Sequence, residues 1–384
     1  MTELGEKALL PAGLRDVLAP EAAHEAAVVE RLIGVFAGRG YERVKPPLME
    51  FEEGLLSGAG AALAQDTFRL MDPVSHRMMA LRADTTPQVA RIAASRLAEA
   101  PRPLRLCYGG QVLRVRGGQL RPERQFGQVG AELIGSERLE ADAEVALLAA
   151  EAALALGVEA LSLDLTQPLL AKAVAEGLGF EATRWRALRE ALDRKDAAAV
   201  AEEAGEQAAL FLAMLDAAGP ADAALERLSG LDLPEAAASE LARLDRVIAL
   251  LRAEAPELAM TVDPVEHRGF EYQTGVSFTL FAGGVRGELG RGGRYLSAFP
   301  GAAAEPATGF SLYMDSLLRA LPPAQAAAKL FLPVGSDPAR AKALRDEGWV
   351  TVAGLETSSE PRAEAKRLGC SHLLLDDTVT ALED

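Results

Sequence analysis

From residue 168 to 255 the chain consists largely of alanine, leucine, glutamate and arginine, with almost no β-branched run. Such a stretch has strong helix propensity and gives a sheet little to work with. Strand character lies on both sides of it, at 103–115 and 124–134 before and at 259–264 and 272–281 after. That contrast predicts a β-rich core interrupted by a helical insertion, read here as four or five helices broken at Gly219-Pro220 and Pro234. A second break comes at Pro322-Pro323, which opens a linker to Ala328. Beyond it, residues 329–384 alternate strand, helix, strand, helix, strand, the pattern of a small α/β module. The expected organisation is a core in two parts, 1–167 and 258–321, separated by the insertion at 168–257 and followed by the module at 329–384. The fold class is α+β.

Within the first part, Val28, Leu32 and Phe36 recur at helical spacing and predict a helix over 20–38, stopped by Gly38 and Gly40. A short strand at 41–44 runs into Pro46-Pro47, where a sheet interior cannot continue. Residues 66–82 read as a hairpin around Asp72-Pro73. Thr86-Pro87 reads as a helix start, a capping hydroxyl followed by proline in the first turn. The alanine- and leucine-rich helix at 138–156 is expected to be largely buried, and a last helix is expected over 308–320.

Composition excludes several classes. A chain of 384 residues supports its own core without disulfides or metal, and two cysteines, Cys107 and Cys370, form no disulfide framework. The four histidines show no metal-ligand spacing. No stretch reaches the ~18 apolar residues of a membrane span, and the N-terminal residues have no basic region followed by an apolar run. A cytoplasmic protein with no membrane partner is expected. Forty basic against 56 acidic residues, a net charge of −16, speak against broad nucleic-acid binding.

Four segments carry chemistry. In Arg-Gln-Phe-Gly-Gln-Val-Gly-Ala-Glu-Leu, 124–133, strand alternation puts Gln128, Gly130 and Glu132 on one face. Gly130 leaves a gap between an amide and a carboxylate roughly 13 Å apart, at ~3.3 Å per residue, across which a small zwitterion fits. The same groups also suit a solvated sheet face. In 81–87, Asp84 and Thr86 offer acceptors for an ammonium group, or else cap the helix that follows. Segment 267–278 joins Arg268 to Tyr272, a clamp for a carboxylate or phosphate, or a solvated turn charge. Segment 287–295 sets arginines among glycines, but matches neither a phosphate loop nor a dinucleotide fingerprint. No nucleophile–base pair and no zinc pattern stand out.

Taken together and in order, these segments resemble the class II aminoacyl-tRNA synthetases, and histidyl-tRNA synthetase in particular. Residues 39–50 are similar to that class's first, dimer-forming motif, and 113–126 keep the spacing of its second, starting at Arg114. Residues 268–275 resemble the histidine-specific signature, and 292–295 with 307–317 stand where the third motif belongs. The resemblance spans roughly residues 8–321. It implies a synthetase-like antiparallel sheet flanked by helices, and histidine-binding roles for Asp84, Thr86, Arg114, Gln128, Glu132, Arg268, Tyr272 and Gln273. Asp84 replaces a usual glutamate, and Gln273 a usual tyrosine.

The departures fall on the nucleotide side. Val115, Arg116, Gly117 and Gly118 follow Arg114 where the synthetase continues with glutamate, arginine and proline. Ser316 stands where an arginine clamps phosphate, and serine cannot replace a bidentate, permanently charged contact. Only about 55 residues follow the linker, against about a hundred in the synthetase's anticodon-binding domain. Histidine binding without ATP activation resembles the regulatory subunits of ATP phosphoribosyltransferase, which activate a short-form catalytic subunit and let L-histidine inhibit it. That resemblance implies a noncatalytic subunit that self-associates as a dimer, with no cofactor, no metal and no tRNA. A working histidyl-tRNA synthetase with atypical motifs is the alternative, and a free-standing paralogue for another amino acid is a third.

Overall fold

The computed structural model describes residues 8–118, 121–267 and 272–382, so Arg268 lies outside the described residues. Its contacts divide the chain into a larger unit, up to Asp16 and over 25–323, and a smaller one, over 17–24 and 324–384. In chain order the elements begin with α1 (Glu21–Gly38), β1 (Glu42–Arg43), β2 (Met49–Phe51), α2 (Glu52–Leu55), β3 (Arg69–Met71), β4 (Met78–Leu81) and α3 (Thr86–Ser95). Two long strands, β5 (Leu104–Leu113) and β6 (Gln125–Ile134), then lead into α4 (Leu139–Ala155) and β7 (Leu161–Thr166).

The stretch that follows holds six helices rather than four or five: α5 (Leu170–Gly177), α6 (Ala182–Asp193), α7 (Ala197–Ala204), α8 (Ala208–Asp216), α9 (Ala221–Ser229) and α10 (Glu235–Glu254), with β8 (Gly219–Pro220) between α8 and α9. The extra breaks come at Gly179, Lys195 and Gly205, each with positive φ, which ends a helix without a proline. The chain returns to the sheet through β9 (Ala259–Val262), β10 (Gln273–Ala282), β11 (Gly290–Ser297) and β12 (Glu305–Tyr313), and closes the larger unit with α11 (Met314–Arg319). The expected helix over 308–320 is therefore strand as far as Tyr313 and helix only over Met314–Arg319. Residues 305–313 pair with β6 on one side and β11 on the other, and that tertiary pairing overrides the local reading.

The nine-stranded sheet runs β1-β5-β6-β12-β11-β10-β7-β9-β8 and is antiparallel through its six central strands. One face carries the main core. Val129, Ala131 and Leu133 of β6 and Phe310 and Leu312 of β12 join Val28, Leu32 and Phe36 of α1 and the alanines of α4 there. Phe36 meets Phe310 edge-on at 5.4 Å. Seventeen residues long, α4 is buried along much of its length because alanine lets a helix lie close to a sheet, and α10 packs against α4 and α5. A separate three-stranded sheet, β2-β4-β3, lines up Phe51, Met79 and Leu70 on one face.

The smaller unit contains β13 (Lys329–Leu332), α12 (Pro338–Asp346), β14 (Val350–Ala353), α13 (Pro361–Arg367), β15 (His372–Leu375) and β16 (Thr378–Ala381), with strand order β14-β13-β15-β16. Alternation along β13 sends Leu330 and Leu332 to one core with Leu344 and Phe331 to another with Ala365. No helix among the described residues is long and apolar enough to cross a membrane.

Candidate functional site

The other face of the large sheet floors a cavity of about 260 Å³. Strand register builds it row by row. Tyr108 of β5, Gly130 of β6, Ser311 of β12 and Arg291 of β11 lie side by side, and Glu132, Gly309 and Gly293 form the next row. Two glycines in these rows make space. A Cβ on Gly309 would lie 1.7 Å from Glu132 Oε2, and one on Gly130 would lie 2.6 Å from the Tyr108 hydroxyl. The gap expected over Gly130 is therefore filled: Tyr108 reaches across from the neighbouring strand, and the open space lies beside it.

One end of the cavity is acidic. Glu132, 1% exposed, accepts hydrogen bonds from the Tyr295 hydroxyl (2.8 Å), the Thr86 hydroxyl (3.0 Å) and the Tyr108 hydroxyl (3.5 Å). All three donors are neutral. Burial pushes its pKa up to about 8, Asp84 adds to the rise, and the three hydroxyls oppose it. Burial thus favours the protonated carboxyl, and a ligand bringing a cation or an N–H donor favours its ionised form. Gln273 also lines the cavity, and its buried Oε1 has no hydrogen-bond partner among the described residues. An orphaned acceptor facing a cavity is costly unless a ligand or water fills it.

Asp84 and Thr86 reach this end from the start of α3, but not as the sequence suggested. The Thr86 hydroxyl makes no capping bond, since it donates to Glu132. Asp84 Oδ1 accepts from the Thr86 amide (2.9 Å) and so takes over the helix start. Gln128 does not line the cavity. It lies beneath, 1% exposed, accepting from the Thr85 amide and donating to Asp84 Oδ1 (3.1 Å) and Ser311 Oγ (2.7 Å), so it fixes those two groups. Tyr272 stacks edge-on against Tyr295 at the rim, 6.0 Å between centroids.

The other end carries guanidinium groups. Arg114 donates to the Ala83 carbonyl (3.4 Å) and lies 5.4 Å from the Phe126 ring centre. Arg121, from the loop between β5 and β6, lies 3.8 Å from the ring centre of Tyr313 and donates to Asp315 Oδ2 (3.0 Å). Arg291 pairs with Glu288. The cavity thus brings together Asp84, Thr86, Arg114, Glu132, Tyr272 and Gln273 of the expected set, with Gln128 just below. Sequence reading gave no site role to Arg121, Ser311 or Tyr313, and singled out segment 287–295 without assigning Glu288, Arg291 or Tyr295 to the site. Period-two alternation from Arg291 to Tyr295 and from Ser311 to Tyr313 was the available signal, but it needed the strand at 305–313 to be recognised. Arg294, in the same glycine-rich segment as Arg291, points to the opposite face and is bound to Asp142 of α4.

Three comparisons bear on this geometry. The histidyl-tRNA synthetase family matches residues 13–317, which include every cavity residue. An ATP phosphoribosyltransferase regulatory subunit of Rhodospirillum centenum is 57% identical over 98% of this chain and 97% of that one. Another from Paramagnetospirillum magneticum is 57% identical over the full length of both. The chain belongs to the ATP phosphoribosyltransferase regulatory subunit family. A solved Bacillus halodurans structure, described as an ATP phosphoribosyltransferase regulatory subunit/histidyl-tRNA synthetase, superposes with a TM-score of 0.82 over 94% of this chain and 96% of that chain, at 24% identity. The fold is that of a class II synthetase.

In this member of the regulatory subunit family, Ser316 is buried at the start of α11, and its hydroxyl accepts from Arg319 (3.0 Å) and Arg121 (3.4 Å). The position at which the synthetase resemblance expects an arginine thus holds a small hydroxyl under the Arg121 side chain. Among the described residues no group of three or more histidine, cysteine, aspartate or glutamate side chains is arranged to hold a metal ion.

Proposed function

We propose that this chain is the noncatalytic, histidine-sensing subunit of a cytoplasmic ATP phosphoribosyltransferase, activating a short-form catalytic subunit and making it inhibitable by L-histidine. The observation that carries the reading is the polarity of the cavity. Among the described residues, a buried glutamate bonded only by hydroxyls and an amide oxygen with no partner lie at one end, with a guanidinium group that meets no carboxylate at the other. An amino acid with a nitrogen-rich side chain answers both ends. In this reading Asp84, Thr86, Glu132, Tyr272 and Gln273 contact the imidazole and ammonium groups, Arg114 takes the carboxylate, Gln128 holds Asp84 and Ser311 in place, and Arg268 completes the clamp. Full-length similarity to proteins named as regulatory subunits supports the choice of partner. Ser316 in place of a phosphate-binding arginine supports the absence of ATP activation, and of tRNA as a substrate partner.

Coupling follows from linkage. Histidine favours whichever assembly state binds it more tightly, and the catalytic partner responds to the same shift. Self-association as a dimer is supported by the apolar row of the small sheet, where Met49, Phe51 and Leu70 are each 37–40% exposed.

Histidine-dependent ATP–pyrophosphate exchange on the purified chain tests the central claim, together with calorimetric titration of histidine. Saturable histidine binding without exchange is expected, followed by histidine-sensitive transferase activity once the short catalytic subunit is added. Robust exchange would make the chain a working synthetase.

A further inference from the structure

The floor of the cavity is stepped. Along β12 the successive residues on the cavity face are Gly309, Ser311 and Tyr313, so the side chain grows from none, to a hydroxymethyl group, to a phenol ring. Gly309 leaves the room that Glu132 occupies, and Tyr313 rises at the end lined by Arg114 and Arg121. The ring is held on two sides. Tyr313 is buried and joins Val112 and Phe126 in a small apolar cluster, meeting the Phe126 ring edge-on at 6.0 Å between centroids. The Arg121 guanidinium lies over its face at 3.8 Å, and is itself anchored where Asp315 Oδ2 accepts from Nε (3.0 Å) and Ser316 Oγ from Nη2 (3.4 Å). A ring packed on buried side chains and covered by an anchored cation does not swing aside without breaking those contacts.

We propose that Tyr313 is the end stop of this cavity, a specificity-determining ring that admits an amino acid with a free carboxylate and rejects one extended through its carboxyl carbon as an amide or ester. This role rests on the amino-acid reading of the cavity and deepens it by naming the residue that sets ligand length. With the ammonium group and side chain at the Glu132 end and the carboxylate at Arg114, any extension through the carboxyl carbon runs toward the end where Tyr313 and Phe126 stand. The cavity, at about 260 Å³, is smaller than the ~300 Å³ and upward of sites for drug-sized ligands. Exclusion is by volume. It depends on the ring being there and packed, and a clash of this kind discriminates against the longer ligand without weakening the shorter one.

The test uses the full-length chain with L-histidine and L-histidine benzylamide as probes, titrated calorimetrically and in competition. Losing the carboxylate weakens the benzylamide in every protein alike, so the quantity read is the ratio of the two affinities, compared between proteins. The unaltered chain is expected to bind histidine and to prefer it to the benzylamide. Tyr313→Ala opens a ring-sized space and should lower that preference at least roughly tenfold. Tyr313→Phe keeps the ring without its hydroxyl and should leave the preference as it was. Tyr313→Val, with a β-branched apolar side chain suited to a strand, takes the place of Tyr313→Ala if circular dichroism shows that variant unfolded. An unchanged preference in the folded variant overturns the proposal, and so does a preference that falls equally in Tyr313→Phe. If the unaltered chain binds no histidine, the amino-acid reading falls and the end stop falls with it. Histidine binding with an unchanged ratio removes the end stop alone.

Discussion

Two buried carboxylates lie on opposite faces of the same sheet, and their surroundings differ in kind. Asp142, at the start of α4, is met by the Arg294 guanidinium at 2.8 Å and by the Thr308 hydroxyl, while Arg294 spends its remaining donors on the Ser136 and Arg138 carbonyls at 2.8 Å each. That site is closed: every charge has its partner, and the pair ties α4 to β11 and β12. Glu132 is equally buried and, among the described residues, is met by no cation, only by the hydroxyls of Thr86, Tyr108 and Tyr295. Burial raises the pKa of both acids, with Arg294 opposing the rise only for Asp142. A buried acid supplied with a guanidinium serves the fold. One supplied only with hydroxyls, beside a cavity, stays short of the cation that would stabilise its charge, which is what the proposed ligand would bring.

The strongest way to break this comparison is to remove the cation from the closed site. Arg294→Met leaves Asp142 buried and uncompensated, and a loss of about 3–5 kcal/mol is expected in denaturant unfolding. A loss below 1 kcal/mol would mean that the two sites are not different after all.

Glu132→Gln tests the open site and should separate binding from stability. Histidine affinity is expected to fall by about 2 kcal/mol or more, read by calorimetry, because a charge-assisted contact is lost. Stability at pH 8 should hold or rise. The sign follows from linkage: the folded-state pKa of Glu132, about 8, lies above its ordinary value of 4.5, so the folded chain binds more protons between those values. The contribution of Glu132 to stability is therefore full below about pH 4.5 and is lost as pH rises to 8. Glu132→Gln should remove that decline, which amounts to a few kcal/mol by order of magnitude. An unchanged pH–stability curve in the variant would remove Glu132 as the titrating group.

The smallest effect calibrates the other two. Arg39 and Glu151 form an ion pair at 2.7 Å with both side chains more than 40% exposed. Arg39→Ala should cost under about 0.5 kcal/mol, because water screens the pair and the long side chains lose freedom in making it. A cost rivalling that of Arg294→Met would show that burial is not what separates structural from incidental pairs here.

Much of the framework was legible in the residues. Alternation in β6 put Gln128 and Glu132 on one face, helical spacing found Val28, Leu32 and Phe36, and the alanine-rich run of α4 announced its burial. Local signals failed at two kinds of place. One was the break without a proline, as at Lys195, where a positive φ ends α6. The other was the strand made by its neighbours, as at 305–313, whose small and mixed residues settle into a strand because β6 and β11 flank them.

The sequence by itself determined which groups are available in and beneath the cavity: an acid and a hydroxyl at the entrance to α3, an acid two positions after Gly130 and a supporting amide two before it, and arginines among glycines near 291. Only the tertiary structure decided how those groups pair. Register between β5, β6, β12 and β11 set Tyr108 over Gly130, gave Glu132 the room that Gly309 leaves, and turned Arg291 into the cavity while sending Arg294 to Asp142. Such pairings join residues tens to well over a hundred positions apart. No local periodicity specifies them, because they are fixed by the summed packing and hydrogen bonding of whole strands.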